Sequence, residues 1–119
     1  MAGGARKDRS VLAEHLPADV APATLSEYRL SIARQARRYK YYPALARQRG
    51  SAGEVGLVVM AGAGAVPAQV RLERSSGDPL LDDAALTIIR QALQQVPPPA
   101  EWHGRRWQIQ LPLAFTPEG

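Results

Sequence analysis

RRWQIQLPLAF, residues 105–115, alternates with a strict period of two and then meets a proline. Trp107, Ile109, Leu111, Leu113 and Phe115 share one parity; Arg106, Gln108, Gln110 and Ala114 share the other. That pattern predicts a strand with one buried face and one wet face. Proline has no N–H to give to a ladder, so Pro112 confines the strand to a sheet edge. An edge strand presents unpaired N–H and C=O groups to any extended chain beside it. What this strand pairs with therefore decides the fold.

Working back from it, Pro97, Pro98 and Pro99 stop the preceding element and stiffen the connection to Trp102. Before them, SSGDPLLDDAALTIIRQALQQ (75–95) reads as a helix. Asp78 fits as N-cap, Pro79 as the first helical residue, and Asp82 and Asp83 suit the positive end of the helix dipole. Leu81, Ala85, Ile88 and Ala92 form its buried stripe. Ser75 and Ser76 are expected to cap this helix start rather than to act as nucleophiles.

A hairpin precedes that helix. Val55, Leu57 and Val59 alternate, but Val58 and Met60 make the second face apolar too, as in a central strand. Gly62, Ala63 and Gly64 supply the turn. The return strand places Val66, Ala68, Val70 and Leu72 inward and Gln69, Arg71 and Glu73 outward. Further upstream, Leu25, Tyr28, Ile32, Ala36 and Tyr39 make a helical stripe from Thr24, with Thr24 as N-cap and Glu27 at the capping-box position. Pro43 breaks that helix at Tyr42, and Ala44 to Arg49 make a short second piece ended by Gly50 and Gly53.

Residues 1–23 read as a flexible leader or linker, too polar for a secretory signal peptide, with at most a short turn around Val11 to Leu16. The domain is expected over residues 24–119. Its predicted class is α+β: two helices packed on one face of a small three-stranded antiparallel sheet, in the order α-β-β-α-β. The last strand lies at the edge and pairs with the first.

Little catalytic chemistry is present. His15 falls in the leader and His103 in the loop before the last strand, and no zincin, nucleophile-elbow or Walker pattern occurs. Asp82 and Asp83 are consecutive on a helix and do not face each other. GAGA at 62–65 lacks the lysine and following helix of a phosphate loop. With no cysteine there is no disulfide and no thiolate metal site. No apolar run is long enough to span a membrane. We therefore expect no enzyme activity, no cofactor and no metal.

The net charge is +4, and seven Lys and Arg lie between Arg29 and Arg49 with no acidic residue between Glu27 and Glu54. Arg34, Arg37 and Arg38 stand opposite the apolar stripe. This is either a solvated helix face or a surface for an acidic partner. Nucleic acid fits less well, because no nucleic-acid-binding motif accompanies the charge.

Taken together, RRYKYYPALARQRGSAGEVGLVVM, then VRLERSSGDPLLDDAALTIIRQA, a proline cluster and WQIQLPLAF resemble the C-terminal domain of TonB energy transducers. The resemblance runs from about Tyr28 to Phe115. Its most specific parts are Tyr42-Pro43, Gly53-Glu54-Val55, and Ser75-Ser76-Gly77 leading into Leu81-Asp82 and Ala84-Ala85.

The resemblance implies a periplasmic domain whose inner-membrane anchor lies in an N-terminal segment outside this chain, where ExbB and ExbD are the partners. It implies capture of the TonB box of outer-membrane receptors, so that proton-motive force drives import of iron-siderophores, haem or cobalamin. TolA-like or secretion-associated periplasmic modules and a basic nucleic-acid binder are the alternatives.

Two departures from the family stand out. Gly62-Ala63-Gly64-Ala65 replaces its frequent Asp-Gly turn. Tyr39 and Leu45 occupy positions where well-studied members carry a receptor-contacting glutamine and arginine, with Arg38 and Arg47 as nearby substitutes. The expected mechanism is addition of the partner peptide to the edge strand. The expected partner-binding residues are Arg105, Arg106, Trp107, Gln108, Ile109, Gln110, Leu111 and Leu113 on the strand, with Arg38, Tyr39, Tyr41, Leu45 and Arg47 at the helix end. A second copy could take the same edge, which leaves a homodimer open.

Overall fold

The computed structural model describes residues 14–62 and 68–117 of the 119-residue chain. Helix α1 spans Pro22–Tyr39, helix α2 Ala44–Gln48, strand β1 Gly53–Ala61 and strand β2 Gln69–Arg74. Helix α3 spans Pro79–Gln95, a 3-10 turn Ala100–Trp102 and strand β3 Trp107–Phe115. The described strands form one antiparallel sheet in the order β2-β1-β3. This is the expected α+β architecture, with the doubly apolar strand at the centre.

One core joins the layers. Tyr28, Ile32 and Ala36 of α1, and Leu81, Ala85, Ile88 and Ala92 of α3, are buried with Val55, Leu57 and Val59 of β1. Trp107, Ile109, Leu111 and Phe115 complete it from β3, on the parity the sequence predicts. On the opposite face Val58 is also buried, flanked in register by Arg71 and Gln110. There Gln110 Nε2 reaches both carboxylate oxygens of Glu73 at 3.1 Å, so long polar side chains roof the apolar middle of the sheet.

Several local expectations are corrected. Helix α1 starts at Pro22, two residues before Thr24, with Ala21 in the N-cap position. Proline at N1 loses no bond, since that N–H has no helical partner. Thr24 donates its N–H to the Ala21 carbonyl at 3.0 Å and so sits inside the first turn, and no side chain caps this end. At α3 the Asp78 carboxylate does cap, accepting from Leu80 N–H at 2.9 Å.

Ser75 and Ser76 serve chiefly Asp82, although the Ser76 hydroxyl also accepts from the N–H of the N-cap residue Asp78 at 3.1 Å and donates to its carbonyl at 3.2 Å. The Ser75 hydroxyl donates to the Asp82 carboxylate, as do the Ser76 N–H and hydroxyl at 2.9 Å each. Asp82 reaches them because helical side chains lean back toward the N-terminus. In β2, Val70 is buried but Leu72 is 42% exposed: β2 is an edge strand, its register slips opposite Gly56 and Leu57, and every residue beyond Val70 is exposed. The turn residues Ala63 and Gly64, and Val66, lie outside the described residues.

Gly53 explains one conspicuous sequence motif. Its φ is +154°, and a Cβ there would stand 3.1 Å from the Ser76 carbonyl oxygen. The start of β1 and the Ser75-Ser76-Gly77 loop therefore pack as one unit. Trp102, buried behind the three prolines, packs against Trp107 with ring centroids 5.0 Å apart and planes tilted by 57°.

Candidate functional site: the outer edge of β3

In an antiparallel strand the N–H and C=O of one residue point to the same side, and successive residues alternate sides. Gln108 exchanges both of its bonds with His15, away from β1. The even-numbered residues of β3 thus aim their backbone outward: Gln108, Gln110, Pro112 and Ala114. Pro112, set opposite Gly56 in the ladder, loses no bond by lacking an N–H, because that N–H would face away from the sheet. The proline that marked this strand as an edge is placed where an edge tolerates it.

Two cations finish this edge. Arg29 Nε donates to the Gln110 carbonyl at 3.2 Å, and Lys40 Nζ to the Ala114 carbonyl at 2.6 Å. Lys40 also stands 5.4 Å over the Phe115 ring. The N–H groups of Gln110 and Ala114 have no backbone partner among the described residues. Between the edge and α1 runs an apolar groove of about 570 Å³, lined by Leu30, Ala33, Leu111, Pro112 and Leu113 and flanked by Arg29, Arg37 and Lys40. Leu30 is 51% exposed into it.

Of the expected partner-binding residues, Trp107 to Leu113 run along β3, while the remainder lie at its opposite ends, about 27 Å apart for a strand of this length. Arg105 and Arg106 lie at its start. Arg105 is committed to Asp19 through bonds of 2.7 and 3.1 Å. That hydrogen bond holds the Asp19 carboxyl below its usual range and raises the guanidinium further. At the other end Lys40, Tyr41, Tyr42, Arg47, Thr116 and Pro117 surround a smaller hollow of about 290 Å³.

Tyr41 is 47% and Leu45 54% exposed, Arg38 is exposed, and Tyr39 is half-buried. Arg47 sits 5.7 Å over the Tyr42 ring. Tyr42 in turn packs edge-on to Phe115 and donates its hydroxyl to the Ser51 carbonyl. Tyr42-Pro43 is thus the joint that ties the end of α1 to the end of β3.

Trp107 and Ile109 are buried, so a partner reaches them only through their neighbours' backbone; Leu111, though largely buried, and Leu113 line the groove. Sequence reasoning did not single out Arg29, Leu30, Ala33 or Lys40. Their signal was a spacing: residues 29, 33 and 37 fall on one helical stripe, and Lys40 continues it. Residues 14–21, within the stretch read as leader, lie against the domain. Leu16 and Val20 pack on the core, Glu14 pairs with Arg29, and the Val20 N–H closes a turn on the Pro17 carbonyl at 3.1 Å. Of the turn expected around Val11 to Leu16, Val11 to Ala13 lie outside the described residues.

Comparison with known proteins places the fold and the motifs together. The model of the Gram-negative bacterial TonB protein C-terminal family matches residues 38–117, and the chain belongs to that family. The solution structure of Helicobacter pylori TonB C-terminal domain, residues 179–285, is similar over 83% of this chain and 85% of that one, with a TM-score of 0.65 at 23% identity. A second solution structure of that domain, residues 194–285, covers 81% of this chain and 96% of its own length, with a TM-score of 0.54 at 23% identity. No curated protein sequence matches. The chain is a TonB-type periplasmic domain. Among the described residues no helix is long and apolar enough to cross a membrane, and no cluster of His, Asp and Glu could hold a metal ion.

Proposed function

We propose that this domain works without catalysis, by capturing the TonB box of an outer-membrane receptor as an added strand on the outer edge of β3. One observation carries the reading. The backbone of Gln110, Pro112 and Ala114 faces away from the sheet beside an apolar groove flanked by Arg29, Arg37 and Lys40. Backbone bonds to such an edge accept many sequences, while the groove selects apolar side chains of alternate residues.

The residues at the far end, Arg38, Tyr39, Tyr41, Leu45 and Arg47, give the peptide a second contact beyond Phe115. The domain then passes on tension from the inner membrane, driven by proton-motive force through ExbB and ExbD, for import of iron-siderophores or haem. A second copy of the domain pairing on the same edge would compete with the receptor.

Chemical-shift mapping with a receptor TonB-box peptide tests this. The amides of Gln110 and Ala114 should shift and gain exchange protection. Shifts confined to the helices, with residues 105–115 untouched, would rule strand addition out.

A further inference from the structure

The outer edge of β3 is partly occupied from within the chain. His15 N–H donates to the Gln108 carbonyl and Gln108 N–H to the His15 carbonyl, both at 2.7 Å, in an antiparallel bridge. This is the pairing a partner strand would make there. On one side of the bridge, Glu14 pairs with Arg29, whose Nε also holds the Gln110 carbonyl. On the other, Asp19 grips Arg105 at 2.7 and 3.1 Å. Leu16, between these polar anchors, and Val20, just after them, are half-buried against the core.

We propose that Glu14 to Asp19 is a built-in competitor: a short segment of the domain's own that closes the Gln108 end of the edge through the single bridge at His15 and is displaced by an incoming partner strand. The proposal rests on the strand-capture reading above. With His15 in place, the open edge runs only from Gln110 to Ala114. A short extended peptide fits beside His15. A longer one that needs Gln108 must first break the bridge and draw Glu14 off Arg29.

The anchors suit such an exchange. They are few and polar, with Asp19–Arg105 exposed and Glu14–Arg29 only half-buried, the class of contact that stabilises weakly and reforms readily. The affinity for a long strand is then reduced by the fraction of molecules in which the edge is open. The device makes the domain discriminate by the length of edge a partner engages.

The test uses the full chain and two peptides of one receptor TonB-box sequence, about five residues to span Gln110–Ala114 and about nine to include Gln108. His15→Pro deletes the N–H given to Gln108, and Glu14→Arg sets a like charge against Arg29. Asp19→Asn loosens the same segment with no new steric demand and serves as an independent variant. The variants should bind the long peptide roughly fivefold or more tightly, with affinity for the short one unchanged.

The Gln108 amide should exchange slowly in the parent and about tenfold faster or more in His15→Pro. Unchanged long-peptide affinity alongside a faster Gln108 amide would overturn the competition. Fast exchange of Gln108 in the parent would overturn the closed edge itself. If neither peptide binds any of these proteins, strand capture fails and the competition with it, while Gln108 exchange still decides whether the edge is closed.

Discussion

Tyr28 of α1 sets its ring edge-on against Trp107 of β3, with centroids 5.8 Å apart and planes at 86°. It meets Trp102 in the same manner at 5.2 Å. This aromatic cluster locks the first helix to the start of the edge strand. Trp107→Ala should therefore cost about 3–5 kcal/mol, as large-to-small aromatic changes in cores do. Urea denaturation measures it, and a loss below about 1 kcal/mol would place Trp107 outside the cooperative core.

The Tyr28 hydroxyl is buried and has no hydrogen-bond partner among the described residues, as is also true of Trp102 Nε1. Burial raises the Tyr28 pKa above the ordinary tyrosine value. The ring rather than the hydroxyl should then hold the cluster. Tyr28→Phe is expected to leave stability unchanged or raise it by up to about 1 kcal/mol. At alkaline pH the unfolded chain ionises Tyr28 before the folded one does, so wild-type stability falls as pH rises past about 10. Tyr28→Phe should lose that part of the alkaline decline, which denaturation curves at neutral and high pH would measure.

Acid should act through the other turn of the fold. For Asp82, burial alone would raise the pKa, but hydrogen bonds from Ser75 and Ser76 outweigh it and lower the value. Asp78 is also lowered, by a bond from Ser51 and then by the Leu80 N–H. A depressed folded-state pKa gives stability that is present above the unfolded value and lost as pH falls through the folded one. Stability should thus hold at neutral pH and decline from about pH 4 downward. Asp82→Ala should remove part of that acid limb and cost about 1–3 kcal/mol at pH 7, read from denaturation midpoints across pH.

Gly53→Ala should be costly despite its small change in size. The new Cβ would meet the Ser76 carbonyl at a backbone conformation that L-residues rarely adopt. We expect a loss of about 1–3 kcal/mol in thermal or urea unfolding. Gly62→Ala, whose Cβ would meet nothing within 4 Å, is the control.

The basic face makes a separate claim. Arg34, Arg37 and Arg38 are exposed and carry no salt bridge among the described residues. If they draw in an acidic receptor segment, affinity should fall with salt, since exposed charges are screened beyond about 8 Å at physiological ionic strength. Replacing all three by glutamine should flatten that salt dependence. Unchanged receptor affinity at low salt would make them a solvated face alone, and DNA or RNA binding with a steep salt slope would mark a nucleic-acid role.

What could be read in advance depended on the range of each interaction. The parity of β3 is a property of consecutive residues, so Trp107, Ile109, Leu111 and Phe115 were legible as core. Val58 beside Leu57 and Val59 marked β1 as central for the same reason. Trp102 follows three prolines and has no periodic neighbours, so nothing local announced its burial. Thr24 has the chemistry of a cap, but Pro22 pre-set the helix two residues earlier. Asp82 looked like a dipole residue; its reach to Ser75 and Ser76 exists only once the loop is folded. The spacing of Arg29, Ala33 and Arg37 marks a stripe on α1, but what that stripe, Lys40 and His15 meet is a strand at the other end of the chain, a contact that local spacing does not reveal.

The register of β1 and β3 has a mechanical consequence. The two strands pair residue for residue from Gly53 with Phe115 to Ala61 with Trp107. Their hydrogen bonds lie across the strand axis. A pull along that axis loads the whole ladder at once in shear, whereas a pull across it would open the bonds one at a time from an end. A strand added outside β3 would be loaded in the same way. Its grip would therefore depend on the direction of tension, firm along the edge and easily peeled from Ala114 or Gln108, so that release needs a change of angle rather than a greater force.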